Sequence, residues 1–305
     1  FMILIGENIH VISKQVRQAL INRDEKFISD LINIQSNMDF IDLNVGPAKD
    51  DMAGVLPWLA GVVQKKSDVK ISFDTTNSDE MEKGLENFDG ETFINSTSLD
   101  EPRLSRMTDL ALEYGSNLIA LTLSKETGIP KTADGRLEIA FNIYEKCLEK
   151  GIESEKLFFD PLVLPVNVEQ SQSLESLNTI KMIKESFDPP VKTVVGLSNI
   201  SNGCPKKIRP LINRVYASLA FGAGLDAVII DARDFELVRI LKMLSQNVPI
   251  SDVDNLYVKL AQMISEFGEL DEVEFDKESE EQLRIIKTAG ILLNREIYSN
   301  SFTQI

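Results

Sequence analysis

Carboxylates, amides and hydroxyls recur at the ends of short apolar runs in this chain: Glu7 and Asn8, Asn44, Asp74, Asn95, Thr122, Asp160, Ser198 with Asn199, and Asp231. Brought to one place, such groups bind rather than attack, because carboxylates accept hydrogen bonds and amides both donate and accept them. With a single histidine in the chain, a multi-histidine metal site is ruled out by count and a histidine-based triad is disfavoured. Asp74, Asp160 and Asp231 together could ligate Mg²⁺ through oxygen. A neutral heterocycle carrying several donors and acceptors suits the set better.

The runs that end in these residues read MILIGEN, FIDLNVG, VKISFDTTN, TFINSTS, LIALTLSK, LFFDPLV, TVVGLSN and AVIIDARD, at roughly even spacing. Between them apolar residues return at three- and four-residue steps, as Phe27, Leu31 and Ile34 do within Glu25 to Asn37, which predicts amphipathic helices. Strand, polar tip and helix in eightfold repetition is the pattern of a (β/α)8 barrel, whose chemistry sits where the strands end. Strands are expected at Ile3 to Gly6, Phe40 to Val45, Val69 to Phe73, TFINSTS, Asn117 to Leu123, Leu157 to Phe159, Thr193 to Leu197 and Ala227 to Ile230. Asp100 is expected to cap the helix that Pro102 opens and Gly115 stops. The breaker-rich loop SKETGIPKTADGR reads as a mobile binding segment, and His10 as an exposed loop residue outside the site.

After the eighth run the even spacing ends. Leu237, Ile240, Leu241 and Leu244 form one apolar stripe, and Leu256, Leu260, Met263, Ile264 and Phe267 another, with Pro249 and Ser251 between them. Residues of about 235–280 therefore read as a helical and acidic insertion within a single TIM-barrel domain spanning 1–305, ahead of a last helix from Glu281 to Tyr298. The acidic stretch EFGELDEVEFDKESEE reads as a solvated loop.

Composition narrows the partners. Lys+Arg 32 against Asp+Glu 48 gives a formal charge of −16, which argues against nucleic acid or an anionic membrane surface. No apolar stretch reaches the length of a membrane span, and no charged-then-apolar leader precedes the first strand. Cys147 and Cys204 form no CxxC pair, so a reducing cytoplasm is expected. Phe1, ahead of Met2, reads as an extra residue.

A pterin is a heterocycle of the required kind, since its ring N–H and exocyclic amino group form a guanidine-like edge that one carboxylate can accept from twice. GENI, DLNVGPA, DTTN, INST, TGIPK, DPLVLPVNV, VVGLSNIS and RPLINR look like the motifs of the methyltetrahydrofolate:corrinoid protein methyltransferases. These belong to a pterin-binding superfamily that also includes dihydropteroate synthase and the folate domain of cobalamin-dependent methionine synthase. The resemblance runs from Met2 to about Asp234 and resumes around Thr288 to Phe302. It implies methyl transfer between N5 of tetrahydrofolate, or 5-methyltetrahydrofolate, and the cobalt of cobalamin carried on a separate corrinoid protein. A homodimer and no tightly bound metal are implied with it.

The resemblance further implies that Asp160 binds the guanidine-like edge, that Asp74 and Asn95 bind other ring heteroatoms, and that Asn44, Gly196 and Ser198 line the pocket. Asn199 matches the catalytic asparagine that contacts N5. Arg209 and Asn202 would add contacts from the loop after the seventh strand, where this chain is longer than its relatives and carries Asn202 where they can carry glutamine. Against dihydropteroate synthase stands the loop GPAKDD, where that enzyme typically has Ser-Thr-Arg-Pro-Gly. A folate-binding protein without catalysis is the other alternative.

Overall fold

The computed structural model describes residues 2–303; Phe1 lies outside them. Eight parallel strands close a barrel in chain order: β1 (Ile3–His10), β2 (Phe40–Gly46), β3 (Lys70–Thr75), β4 (Thr92–Thr97), β5 (Asn117–Leu121), β6 (Leu157–Asp160), β7 (Lys192–Gly196) and β8 (Ala227–Ile230), which pairs back onto β1. Around them lie α1 (Lys14–Ile21), α2 (Glu25–Ile34), α3 (Val55–Lys66), α4 (Ser78–Glu86), α5 (Arg103–Tyr114), α6 (Ala133–Lys150), α7 (Ser171–Ser186) and α8 (Arg209–Gly222). Beyond β8 follow α9 (Phe235–Gln246), α10 (Asp252–Ser265) and α11 (Glu280–Leu292). Among the described residues no helix is long and apolar enough to cross a membrane.

Side chains alternate along a strand, so every second residue points into the barrel. Ile5, Phe40, Phe93, Ile119, Phe158, Val194 and Ile229 form one buried apolar layer from seven strands. Its aromatic members meet edge to face, Phe40 with Phe93 at 4.8 Å and Phe93 with Phe158 at 4.7 Å between ring centroids. This layer is a floor. One step of two residues further along the same strands come Glu7, Asp42, Asn95, Leu121, Asp160, Gly196 and Asp231, and β3 adds Asp74 above Ser72. Apolar below and polar above, the inner face forms a cup at the carboxyl ends of the strands.

The strand β1 departs from expectation by running on to His10, because its register on β2 shifts between Gly6 and Ile9. Such a bulge re-aims side chains. The backbone N–H of Asn8, displaced from the ladder, donates to Oε1 of buried Gln35 at 3.1 Å. Gly6 permits this, for a Cβ there would stand 2.4 Å from that same oxygen.

Other differences are local. The helix α1, capped by Ser13, is not legible in the apolar spacing, and α2 ends at Ile34 rather than Asn37. Asp100 does not cap α5: its carboxylate accepts from Ser98 Oγ at 2.9 Å and from the Lys125 N–H at 2.7 Å. The loop after β5 is fastened rather than loose. Ser124 and Gly128 pair through both backbone N–H groups, Arg136 Nε donates to the Pro130 carbonyl at 3.0 Å, and Gln172 Nε2 donates to the Lys131 carbonyl at 3.0 Å. The last helix stops at Leu292 because Arg295 and Glu296 turn back to donate to the Gly290 carbonyl.

The helices α9 and α10 share the main core with α8, and α10 lies so close to α8 that a Cβ at Gly222 would approach the Ala261 carbonyl oxygen to 2.1 Å. Arg239 on α9 grips Asp254 on α10 with bonds of 3.1 and 2.5 Å.

Candidate active site

Adjacent strands carry the first half of the ring. Asn44, Asp74 and Asn95 are direct register partners across β2, β3 and β4. Asn44 Nδ2 donates to Asp74 Oδ2, while Asn95 Nδ2 donates to Asp42 Oδ1 at 3.1 Å and Ser72 Oγ donates to the same oxygen at 2.6 Å. Asp74 is free of any capping duty, because Asn77 caps α4 by accepting from the Asp79 and Glu80 N–H groups.

The second half comes from β6, β7, β8 and β1. Asp160 ends β6, where its Oδ1 accepts from the Leu162 N–H at 2.8 Å, and no other side-chain or backbone donor of the described residues reaches its carboxylate. Leu162 holds that N–H in place from the left-handed region, at φ 64°, a conformation that costs a branched residue about 1–3 kcal/mol. Ser198 and Asn199 lie on a 3-10 turn, Leu197–Ser201, directly after β7. Ser198 Oγ donates to Glu7 Oε1. The exposed amide of Asn199 rests over Gly196, where a Cβ would meet Asn199 Nδ2 at 3.1 Å, so glycine keeps that amide seated at the rim. Just past β8, Asp231 Oδ1 accepts from Asn8 Nδ2 at 2.5 Å and from the Arg233 N–H at 2.9 Å.

Not every expected residue enters the cup. Thr122 is fully buried and donates its hydroxyl to the Asp160 carbonyl at 3.0 Å, leaving Leu121 to face inward from β5. Arg209 opens α8 and spends Nε on the Cys204 carbonyl at 2.7 Å, and Asn202 is exposed at the far end of the turn. Neither of the two is hydrogen-bonded to the inner ring. Among the described residues no three His, Cys, Asp or Glu side chains are grouped to hold a metal ion, so Asp74, Asp160 and Asp231 do not form the Mg²⁺ site that their number allowed.

Sequence reasoning passed over Asp42, although Phe40, Asp42 and Asn44 share one face by the period of two. His10 is not a loop residue but the half-buried end of β1, paired in register with Asn44. Arg103 was missed as well. Its guanidinium donates to the carbonyls of Thr75, Thr76 and Ser96, at distances of 2.5 to 3.0 Å, and so ties the ends of β3 and β4 together. A cation in the first turn of a helix opposes the helix dipole, and that misfit was the available signal.

Burial dominates the electrostatics of the cup. It pushes the carboxyl of Asp160 up to about 7, that of Glu7 to about 7 and that of Asp42 to about 6, and raises Asp74 well above the usual carboxylate range. Buried Arg136 opposes the rise at Asp160, and Ser198 opposes it at Glu7. In the unfolded chain these groups titrate near 3.8 for Asp and 4.5 for Glu, so the folded state binds more protons between about 4 and 7. The stabilisation this brings is complete below the unfolded values and is lost as pH rises through the folded ones. We expect the ligand-free protein to melt at a temperature higher by roughly 5–10 °C at pH 5.5 than at pH 8, from a displacement of about 3 kcal/mol. Calorimetric scans showing a flat or inverted trend would contradict the crowding of carboxyls described above.

A family profile described as pterin binding enzyme matches residues 39–231. Methionine synthase of Mycobacterium tuberculosis (strain ATCC 25618 / H37Rv) is 29% identical over 244 residues, which cover 76% of this chain and 20% of that protein. The methionine synthase of Mycobacterium leprae gives 28% over the same length, so the chain spans about a fifth of these two relatives. Methylcorrinoid:tetrahydrofolate methyltransferase of Eubacterium limosum is 25% identical over 234 residues, covering 75% of this chain and 85% of that protein. Among solved structures, dihydropteroate synthase of Xanthomonas albilineans with 4-aminobenzoic acid superposes with a TM-score of 0.61 at 13% identity, over 82% of this chain and 94% of that one. The Yersinia pestis enzyme with a pterine-sulfa conjugate gives 0.56 at 16%, over 80% and 94%. At such identities the superpositions speak for the barrel alone. The profile spans well over half of the chain and ends on the last of the cup's carboxylates, Asp231: the chain belongs to the pterin binding enzyme family.

Proposed function

We propose that this protein moves a methyl group between N5 of tetrahydrofolate and the cobalt of a corrinoid carried by a separate protein. The observation that carries the reading is Asp160, a half-buried carboxylate with an oxygen left open to the cup, across from the Asn44–Asp74–Asn95 ladder. A flat ring with a guanidine-like edge fits that donor set: the edge donates to Asp160, while Asp74 and Asn95 serve the remaining heteroatoms. The name of one relative, methylcorrinoid:tetrahydrofolate methyltransferase, points the same way.

Methyl transfer from a tertiary amine is slow because the nitrogen leaves badly, so charge builds on N5 as the C–N bond breaks. An amide placed at the rim, with no side-chain hydrogen bond among the described residues, can meet that charge, and this is the role we assign to Asn199. A reduced corrinoid supplies the nucleophile, so the chain needs none; both cysteines are free and buried, in keeping with a cytoplasmic protein. Asn202 and Arg209 would act on the outer part of the folate. We read residues 1–305 as a single pterin-binding domain working as a homodimer, with residues of about 235–280 as an addition to it. That addition shares its core with α8, so its role is better probed by surface substitutions than by deletion.

The test is direct. Purified protein is mixed anaerobically with 5-methyltetrahydrofolate and reduced cobalamin, and separately with tetrahydrofolate and methylcobalamin, and the visible spectrum of the corrinoid is followed. Protein-dependent gain or loss of the methylcobalamin spectrum is the expected result; none in either direction, with folate bound by calorimetry, would leave a folate-binding protein instead.

A further inference from the structure

Glu7 takes no part in the contacts assigned to the ring, yet it is the one cup carboxylate joined to the turn that bears Asn199. Its position is built. The bulge in β1 frees residues 7 and 8 from the β2 ladder, Gly6 gives room to Gln35, and Gln35 holds the displaced Asn8 N–H. Glu7 then stands above Ile5 of the apolar floor and reaches across β8 to accept from Ser198 Oγ, the neighbour of Asn199. A purely structural acid would be expected to find a cation there, but the groups facing it are acidic or neutral. Asp231 follows β8, Asp42 comes from β2 and Ser198 from the turn after β7.

Resting on the proposed methyl transfer, we infer that Glu7 is the acid that protonates N5 as the methyl group departs, with Ser198 aiming its carboxyl at the Asn199 side of the cup. The balance is simple. The C–N5 bond breaks with its electron pair left on nitrogen, the methyl group passes to the reduced cobalt, which supplies the pair for the new bond, and the proton of Glu7 forms N5–H. Solvent at the open mouth restores the carboxyl. In the opposite direction the proton of N5–H returns to Glu7 as nitrogen takes the methyl group. Burial keeps this carboxyl protonated up to about pH 7, which suits a donor working near neutrality.

The decisive variant is Glu7→Gln, which can still accept from Ser198 but carries no acidic proton. Single turnovers are followed at saturating 5-methyltetrahydrofolate with reduced cobalamin in place of the partner protein, so that ring binding holds Asp160 ionised and its titration drops out. In the wild-type protein the rate is expected to fall about tenfold per pH unit above the alkaline limb. In Glu7→Gln the rate at pH 6.5 is expected to drop roughly 100-fold and the limb to vanish, with folate affinity by calorimetry changed less than about threefold. Ser198→Ala removes a bond that favours the ionised carboxylate, so its limb should remain but move to higher pH. A Glu7→Gln protein that keeps both rate and limb, or loses rate and affinity alike, would overturn the assignment, as would a limb that Ser198→Ala leaves in place. A wild-type protein inactive in both directions would overturn the methyl-transfer reading along with it, whereas the outcomes above overturn Glu7 alone.

Discussion

Asparagine in place of Asp160 is expected to raise the melting temperature of the ligand-free protein while weakening its hold on 5-methyltetrahydrofolate by a factor of roughly 30 to 1000. The two effects share a cause. Asp160 ends β6 in a site so short of solvent that its carboxyl is pushed up to about 7, and above that pH the fold carries a buried charge that only the Leu162 N–H and the field of Arg136 relieve. Asparagine keeps the oxygen that accepts from Leu162 and removes the charge, so we expect stability to rise by about 1–3 kcal/mol at pH 8. The ligand loses instead. One of two parallel charge-assisted bonds becomes a donor facing a donor, at about 2–4 kcal/mol. Titration calorimetry and thermal scans on one preparation decide the matter, and unchanged affinity would remove Asp160 from the ring contacts whatever happens to stability.

Asn199→Ala is expected to do the reverse, leaving affinity within about threefold and slowing methyl transfer about 100-fold. The Asn199 side chain is exposed, holds no hydrogen bond within the described residues, and is seated by Gly196 rather than by polar neighbours, so its removal disturbs little in the ground state. A contact that strengthens only as charge gathers on N5 appears in the rate and not in binding. Single-turnover kinetics beside calorimetry separate the two, and parallel losses would make Asn199 a binding residue only.

Much of this site is legible because a barrel turns sequence into geometry in a simple way. Each apolar run ends where the chain leaves the barrel, so Asn44, Asp74, Asn95, Asp160 and Ser198 announce a shared mouth before any coordinates exist. Reading run ends alone favours the last polar residue over the inward one. It therefore lost Asp42, two residues before Asn44, and admitted Thr122, whose neighbour Leu121 takes the inward place. The true end of β1 was hidden by its bulge, since a register shift depends on Gln35 approaching Gly6 from just past α2 and not on any local pattern. The loop after β5 looked loose for a similar reason: its breakers are local, but its fastenings to Gln172 and Asp100 lie on two other segments.

For the folate proposed as substrate, the acidic lining decides which way round it can arrive. Glu7, Asp42, Asp74, Asp160 and Asp231 surround the cup, whereas Lys131, Lys206 and Lys207 stand on the loops beyond β5 and β7 and Arg209 opens α8. A tail carboxylate brought within 8 Å of one ionised lining group would meet a repulsion of about 2 kcal/mol at an effective dielectric of 20. The uncharged ring suffers no such penalty. Entry is thus head-first, selected by charge before any hydrogen bond forms, and lengthening the tail with further glutamates would add anions outside the barrel and none within it.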